Sequence, residues 1–284
     1  MNRTIVTLCL LLSAFAIFPV PTHALEPQPR GDVFVPLFAD PKEIRSTVDY
    51  LWTSSEGHKT AIVLVGFGEH WGLVRWEGKR PNEGWQFGIT GGLFAQFDMH
   101  TPSKDLLNAD YLVGFPLSWR LNNTSARFRV YHQSSHLGDE YLLADHPTRV
   151  NLSWEALDLI VSQDYGRFRL YGGGEWLFSR NPSELKPMVY HAGVEMRCPL
   201  GVFHRSPMRR AQWLLCVDAK NTQERWGGLG LSIVTGVEFG PTLESDKDGR
   251  RWSLTINHYH GPSPYSQYFY ESVTYNGLGF QLGI

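Results

Sequence analysis

The sequence predicts an all-β fold, a transmembrane antiparallel up-and-down β-barrel of about 12 strands, with a short N-terminal periplasmic helix ahead of it. Three observations predict it. The chain opens as an exported protein does: Arg3 is followed by an apolar run from Ile5 to Phe18 and a Thr-His-Ala ending. Aromatic residues make up 13% of the chain, with 10 Trp, and there are 28 Gly, a composition that a soluble enzyme could carry but that also suits a β-barrel with aromatic girdles. Long segments alternate with period two. From Trp85 the odd positions read Trp85, Phe87, Ile89, Gly91, Leu93, Ala95, Phe97 and Met99, against Gln86, Gly88, Thr90, Gly92, Phe94, Gln96 and Asp98 on the even ones. Fifteen such residues exceed an ordinary globular strand but fit a tilted strand that crosses a bilayer.

Residues 1–24 read as a secretory signal cleaved after Ala24, and residues 25–58 as an N-terminal periplasmic segment. Within that segment Asp40-Pro41-Lys42-Glu43 combines an N-cap, a first-turn proline and a capping-box glutamate. Ile44, Val48, Leu51 and Trp52 then share one helical face, which predicts a short amphipathic helix packed at the periplasmic mouth. The barrel is expected over 59–284, with strands near 61–67, 71–76, 84–99, 110–120, 125–134, 149–163, 166–178, 188–198, 211–219, 229–239, 250–260 and 269–284.

Each long segment has one apolar face and one charged face. Phe168, Leu170, Trp176 and Phe178 oppose Arg169 and Glu175, and Trp252, Leu254 and Ile256 oppose Arg251 and Asn257. In a barrel the apolar face meets lipid while a wet interior solvates the charges, here Asp110, Arg127, Arg129, Arg167, Arg169, Glu175 and Glu238. A soluble sandwich with its apolar side inward is the competing arrangement. Short turns, at 121–124 and near 246–249, are assigned to the periplasm, and the long 135–148 connection to the outside. The 199–210 connection is longer than a periplasmic turn should be.

No later window holds eighteen consecutive apolar residues, so no transmembrane helix is expected. A formal net charge of −2 argues against nucleic acid as a partner. Beyond the signal the cysteines are Cys198 and Cys216, an exported pair for which a disulfide is open although strand parity places them on opposite faces.

The chemistry centres on YHQSSHLGDEYL, residues 131–142. In the strand leading into it Phe128, Val130, His132 and Ser134 share the face assigned to lipid. Positions i and i+2 lie about 7 Å apart along a strand, so His132 and Ser134 can serve as general base and nucleophile. An orienting group for the imidazole is expected on the next strand, which carries Asn151, Ser153 and Glu155 on one face. Counting 135–148 as loop pairs Ser134 with Arg149 and His132 with Asn151, leaving Glu155 as the register-dependent alternative. Asp139, Glu140 and Asp145 in the loop are candidate oxygen ligands for Ca²⁺, or else a polar rim. A second pair, His258 and His260, extends another outward face without a serine, so interfacial polar decoration is the alternative to catalysis.

The run Tyr131-His132-Gln133-Ser134 followed by Asn151 resembles the active site of outer membrane phospholipase A, a barrel whose His-Gln-Ser and Asn lie on the lipid-facing wall. That resemblance implies Ser134 as nucleophile, His132 as base and Asn151 as the orienting amide, with acyl-ester hydrolysis of a membrane lipid as the reaction. A lipid A deacylase would instead use Glu155. Ser135-His136 replaces the Asn-Gly that follows the family's serine, so its oxyanion and calcium positions do not transfer. The stretches FADPKEIR, WQFGITGGLFAQFD, ADYLVGFPLSWR and RVNLSWEAL look like a bacterial family known only as a domain of unknown function. The final YNGLGFQLGI is similar to the closing strand of bacterial outer-membrane barrels, but ends on Ile where those usually end on Phe. Together the resemblances imply the bacterial outer membrane as location. They imply membrane lipid and the outer-membrane assembly machinery as partners, with a homodimer as a candidate assembly. A non-enzymatic barrel acting as a narrow pore, binding protein or envelope element is the other function class.

Overall fold

The computed structural model describes residues 25–55, 58–80, 82–147, 150–200, 211–225, 228–240 and 251–283. The expected signal, the long 199–210 connection beyond Leu200 and the turn near 246–249 lie outside the described residues.

After the short strand β1 (Leu25–Pro27), twelve strands form a closed antiparallel barrel. They are β2 (Ser46–Ser55), β3 (His58–Glu77), β4 (Gly84–Asp98), β5 (Leu106–Leu121), β6 (Thr124–Leu137), β7 (Leu152–Tyr165), β8 (Phe168–Asn181), β9 (Met188–Pro199), β10 (Ala211–Thr222), β11 (Leu229–Phe239), β12 (Arg251–Pro262) and β13 (Ser272–Gly283). Neighbours in sequence pair with one another, and β13 pairs with β2 to close the cylinder. β2 begins and β13 ends at one end of the barrel, here the terminal end. The opposite, loop end carries the one described α-helix, α1 (Asp139–Asp145).

Side chains are distributed as the period-two pattern requires. Phe67, Trp71, Phe115, Leu159, Leu170, Trp176, Leu254, Ile256 and Leu278 stand exposed on the outer wall, while Asp110, Arg127, Arg129, Asp158, Arg169, Glu195 and Asp218 are buried inside. This is the inverse of a soluble core and removes the sandwich alternative. Arg167 differs from expectation: it lies in the β7–β8 turn, exposed, because β7 runs on to Tyr165.

Two departures concern the start of the barrel. Segment 44–52 is not a helix: from Ser46 the chain is β2, in which Asp49 and Leu51 point inward while Val48, Tyr50 and Trp52 are exposed, a period of two, and Ile44 is buried ahead of the strand. The capping signal is real, since Lys42 N–H donates to Asp40 Oδ1 at 2.9 Å and Glu43 N–H to Asp40 O at 3.2 Å. It makes one turn only, because pairing with β3 and β13 satisfies the following backbone groups and overrides helix propensity. Conversely, the strands expected at 61–67 and 71–76 are one strand, β3, which accommodates Leu73 as an extra residue between Gly72 and Val74.

The segment between β1 and β2 does not stop at the mouth. It enters the lumen. Val33, Phe34, Leu37, Phe38, Ala39 and Ile44 are all buried there. Phe34 lies between two guanidinium groups, 5.0 Å from Arg127 and 4.8 Å from Arg169, and Phe38 N–H donates to Glu195 at 2.6 Å. Glu43 binds Arg127 at 2.6 Å and Asp40 binds Lys220 at 2.9 Å. From the loop end, the β12–β13 connection folds inward until Tyr265 and Ser266 are buried. The lumen is therefore occupied from both ends, and its charges are paired as burial demands.

Cys216 faces the interior of β10, whereas Cys198 lies on β9 opposite Trp213; both thiols are free.

Candidate active site

β6 places its odd residues, Arg127, Arg129, Tyr131, Gln133 and Ser135, in the lumen and its even residues on the outer wall. His132 and Ser134 accordingly project outward near the loop end, with the His132 side chain 44% exposed. Their inward neighbours anchor the strand. Gln133 Nε2 donates to Ser266 Oγ at 2.6 Å, and the Ser135 hydroxyl donates to Asp110.

The register with β7 differs from the sequence expectation by four residues: His132 pairs with Glu155, and Ser134 with Ser153. The reason is the connection. β6 continues to Leu137, α1 occupies part of what reads as loop, and β7 starts only at Leu152. Asn151 precedes β7, exposed, four residues or about 13 Å along the strand from Glu155, and does not oppose His132. The Glu155 alternative is the one the register selects. His132 Nδ1 lies 3.0 Å from Glu155 Oε1. Because an ionised carboxylate only accepts, Nδ1 carries the proton and Nε2 is left as the ring's acceptor.

A third strand completes the row. Ala156 pairs with Leu177 but Glu155 with Ser179, so Phe178 is an extra residue in β8. This bulge reverses the phase of the strand. Phe178 and Ser179 both lie on the outer wall, with Ser179 directly opposite Glu155. Sequence reasoning missed Ser179 because it ends this strand at 178, whereas β8 runs on to Asn181, and continued alternation from Trp176 and Phe178 would send Ser179 to the lumen. The only signal was the run Phe178-Ser179-Arg180, in which Arg180 returns to the interior opposite Trp154.

The candidate calcium ligands do not converge. Asp139 and Glu140 sit in the first turn of α1 and Asp145 closes it, about 9 Å along the axis and on a different face. Among the described residues no group of three or more His, Cys, Asp or Glu side chains comes together to hold a metal. His136, on β6, packs edge-on against Tyr111 at 5.9 Å, and His146 caps α1 in the left-handed conformation, φ 48°.

What the arrangement can do is limited and specific: a carboxylate holds an imidazole by Nδ1 and leaves its other nitrogen as an acceptor, with a serine two residues on along the same face. An ionisable pair with a serine beside it on a largely apolar wall is unexpected unless the wall has work there. The fold itself is similar to solved structures of outer membrane phospholipase A. The Escherichia coli protein matches with a TM-score of 0.55 at 13% identity, over 84% of this chain and 90% of that one. The Salmonella typhi outer membrane phospholipase dimer with bound calcium matches with a TM-score of 0.57 at 13% identity, over 86% and 93%. The likeness shows an outer-membrane-type β-barrel. No curated protein matches the sequence. The model of a family described as "Protein of unknown function (DUF1207)" matches residues 12–284.

Proposed function

The chain belongs to that DUF1207 family, and for it we propose a lipid acyl-ester hydrolase of the bacterial outer membrane, with Ser134 as nucleophile, His132 as general base and Glu155 as the group that orients it. The observation that carries this reading is the His132–Glu155 pair at 3.0 Å on the exposed wall, one side chain 44% and the other 41% exposed, with Ser134 beside it on the same face. In a bilayer that wall meets lipid, and an ionisable pair held against lipid is a functional-site signature.

The reaction follows from the proton positions. Ser134 Oγ attacks an ester carbonyl presented sideways from the outer leaflet, and its proton passes to His132 Nε2 as the C–O bond forms. Glu155 stabilises the resulting imidazolium and fixes its tautomer. Collapse of the tetrahedral adduct expels the lipid alkoxide, which takes the proton back from Nε2. Water, deprotonated by the same nitrogen, then releases the fatty acid and restores Ser134. Asn151 has no part in this scheme, and no step runs through calcium. An orienting carboxylate is what the sequence tied to lipid A deacylation, so lipid A stands beside glycerophospholipid as a substrate class. The occupied lumen favours a function borne on the wall over a conducting one.

The test is fatty-acid release by detergent-purified protein supplied with phospholipid or lipid A. Release that disappears in Ser134→Ala and in His132→Ala, with the barrel still folded, supports the proposal. Release that persists in both variants places the chemistry elsewhere, and no release from either lipid removes the hydrolase reading.

A further inference from the structure

The second outward histidine pair lies on a part of the wall distant in strand order from the ester site. On β12, His258 and His260 face outward above Ile256 and Leu254, which are 59% and 54% exposed. Each ring is held by the residue directly opposite on β13. His258 Nδ1 is 2.8 Å from Asn276 Oδ1, and His260 Nδ1 is 2.8 Å from Thr274 Oγ1. The Asn276 carbonyl can only accept, so His258 donates its Nδ1–H and turns Nε2 outward. The next outward residue of β13 toward the rim is Ser272, and its hydroxyl takes the Arg225 guanidinium at 3.1 Å, while the same guanidinium donates to Tyr270 O. Arg225, His260 and His258 thus form a vertical row of nitrogen groups, with rungs about 7 Å apart, at the loop end of the outer wall.

Below the row the wall is apolar. Tyr50, Leu278 and Ile256 make one rung and Val48, Phe280 and Leu254 the next, and Trp52 stands beside Asn276, 55% exposed and edge-on to Tyr50 at 5.2 Å. A row of nitrogen groups continued by an apolar track is complementary to an amphiphile with an anionic head.

We propose that Arg225, His260 and His258 bind the phosphate of an outer-leaflet lipid whose acyl chain lies along Ile256, Leu278 and Tyr50. A phosphate presents oxygens in several directions, so one group can bridge neighbouring rungs, with Arg225 giving charge-assisted hydrogen bonds. His258 offers Nε2–H only as the imidazolium, because its Nδ1–H is already committed to Asn276. Binding therefore takes up a proton and weakens as pH rises. The groups that face the two rings are Leu231 and Ile233 on β11 and Thr274 and Asn276 on β13, all uncharged. The described charges at the rim nearest the row are Arg225, Lys186, Glu224, which accepts from Tyr270 OH and the Lys186 backbone N–H, and Glu271.

The test is native mass spectrometry of delipidated, detergent-purified protein titrated with dioleoyl phosphatidic acid, with dioleoylglycerol and inorganic phosphate as separate arms. Phosphatidic acid should bind, about tenfold more weakly in the Arg225→Ala/His258→Ala/His260→Ala variant and more weakly at pH 8 than at pH 5.5. Dioleoylglycerol should be retained as poorly by the native protein as by the variant. Equal retention of the two lipids, an unchanged variant, or the same affinity at both pH values would overturn the proposal, and phosphate binding that is as tight without acyl chains would overturn its lipid part. Asn276→Ala, which keeps all three nitrogen groups but frees the His258 ring, should weaken binding less than the triple variant. Because Ser134, His132 and Glu155 are untouched, failure here leaves the ester-hydrolase reading standing.

Discussion

Lys42 Nζ, carried by the segment that enters the lumen, lies 2.6 Å from Asp110 Oδ2 on β5, and both side chains are almost wholly removed from solvent. The same carboxylate accepts from Ser266 N–H at 3.1 Å, Ser266 Oγ at 3.0 Å, Asn108 Nδ2 at 3.2 Å and the Ser135 hydroxyl. Asp110 therefore ties together the N-terminal segment, the loop-end cover and the strand that bears Ser134. Asp110→Ala leaves Lys42 buried without its counter-charge and should destabilise the barrel by about 3 kcal/mol or more, read from denaturant unfolding in detergent. Lys42→Met in the Asp110→Ala background should recover part of the loss.

Asp40 gives a pH signature. Burial pushes its carboxyl up, but Lys220, 2.9 Å away, and His191 outweigh that and hold it down at about 2, against an ordinary 3.8. A depressed folded-state value means stabilisation that is complete above about pH 4 and lost as pH falls toward 2. The thermal midpoint should drop across that window, and Asp40→Asn should flatten the drop.

The occupied lumen predicts electrical silence. Native protein in planar bilayers should show no steady conductance. Removal of residues 28–45, the part threaded inside, should produce openings if the deleted barrel folds by its heat-modifiable mobility.

At the wall, Glu155→Gln should lower kcat by about 10²-fold or more, because the imidazolium loses its counter-charge and the Nδ1–H its preferred acceptor. Asn151→Ala should leave turnover unchanged. Ser179→Ala should lower kcat up to about tenfold with KM little altered, since it removes the hydroxyl directly opposite the carboxylate and no expected contact with substrate. Glu155→Gln and Asn151→Ala compared in one assay separate the carboxylate from the amide as orienting group.

Much of this was legible in the sequence because a barrel wall writes its two environments onto alternate residues. β11 was bounded at Leu229 and Phe239 by that alternation alone, and the outward face of His132 and Ser134 followed from Phe128 and Val130. The count of twelve survived two opposite errors. The polar Glu69-His70 step and the Leu73 bulge made β3 look like two strands, while the Asp40 cap made β2 look like a helix. Pairing register was not legible, because it depends on how residues 138–151 fold, and α1 within them shifted the partner of His132 from Asn151 to Glu155. Ser179 was hidden for a related reason: one extra residue, Phe178, inverts every assignment beyond it. The threading of 28–45 through the lumen has no periodic signature at all. It shows only as apolar residues, Phe34, Leu37 and Phe38, among partners that are far away in sequence.

The most direct test of the account is covalent labelling of the purified barrel with a lipophilic fluorophosphonate, mapped by peptide mass spectrometry. Modification at Ser134 that is lost in His132→Ala and slowed in Glu155→Gln is the predicted result. A folded native protein that remains unlabelled, or one labelled at Ser134 at the same rate when His132 and Glu155 are removed, would contradict the claim that this pair activates the serine.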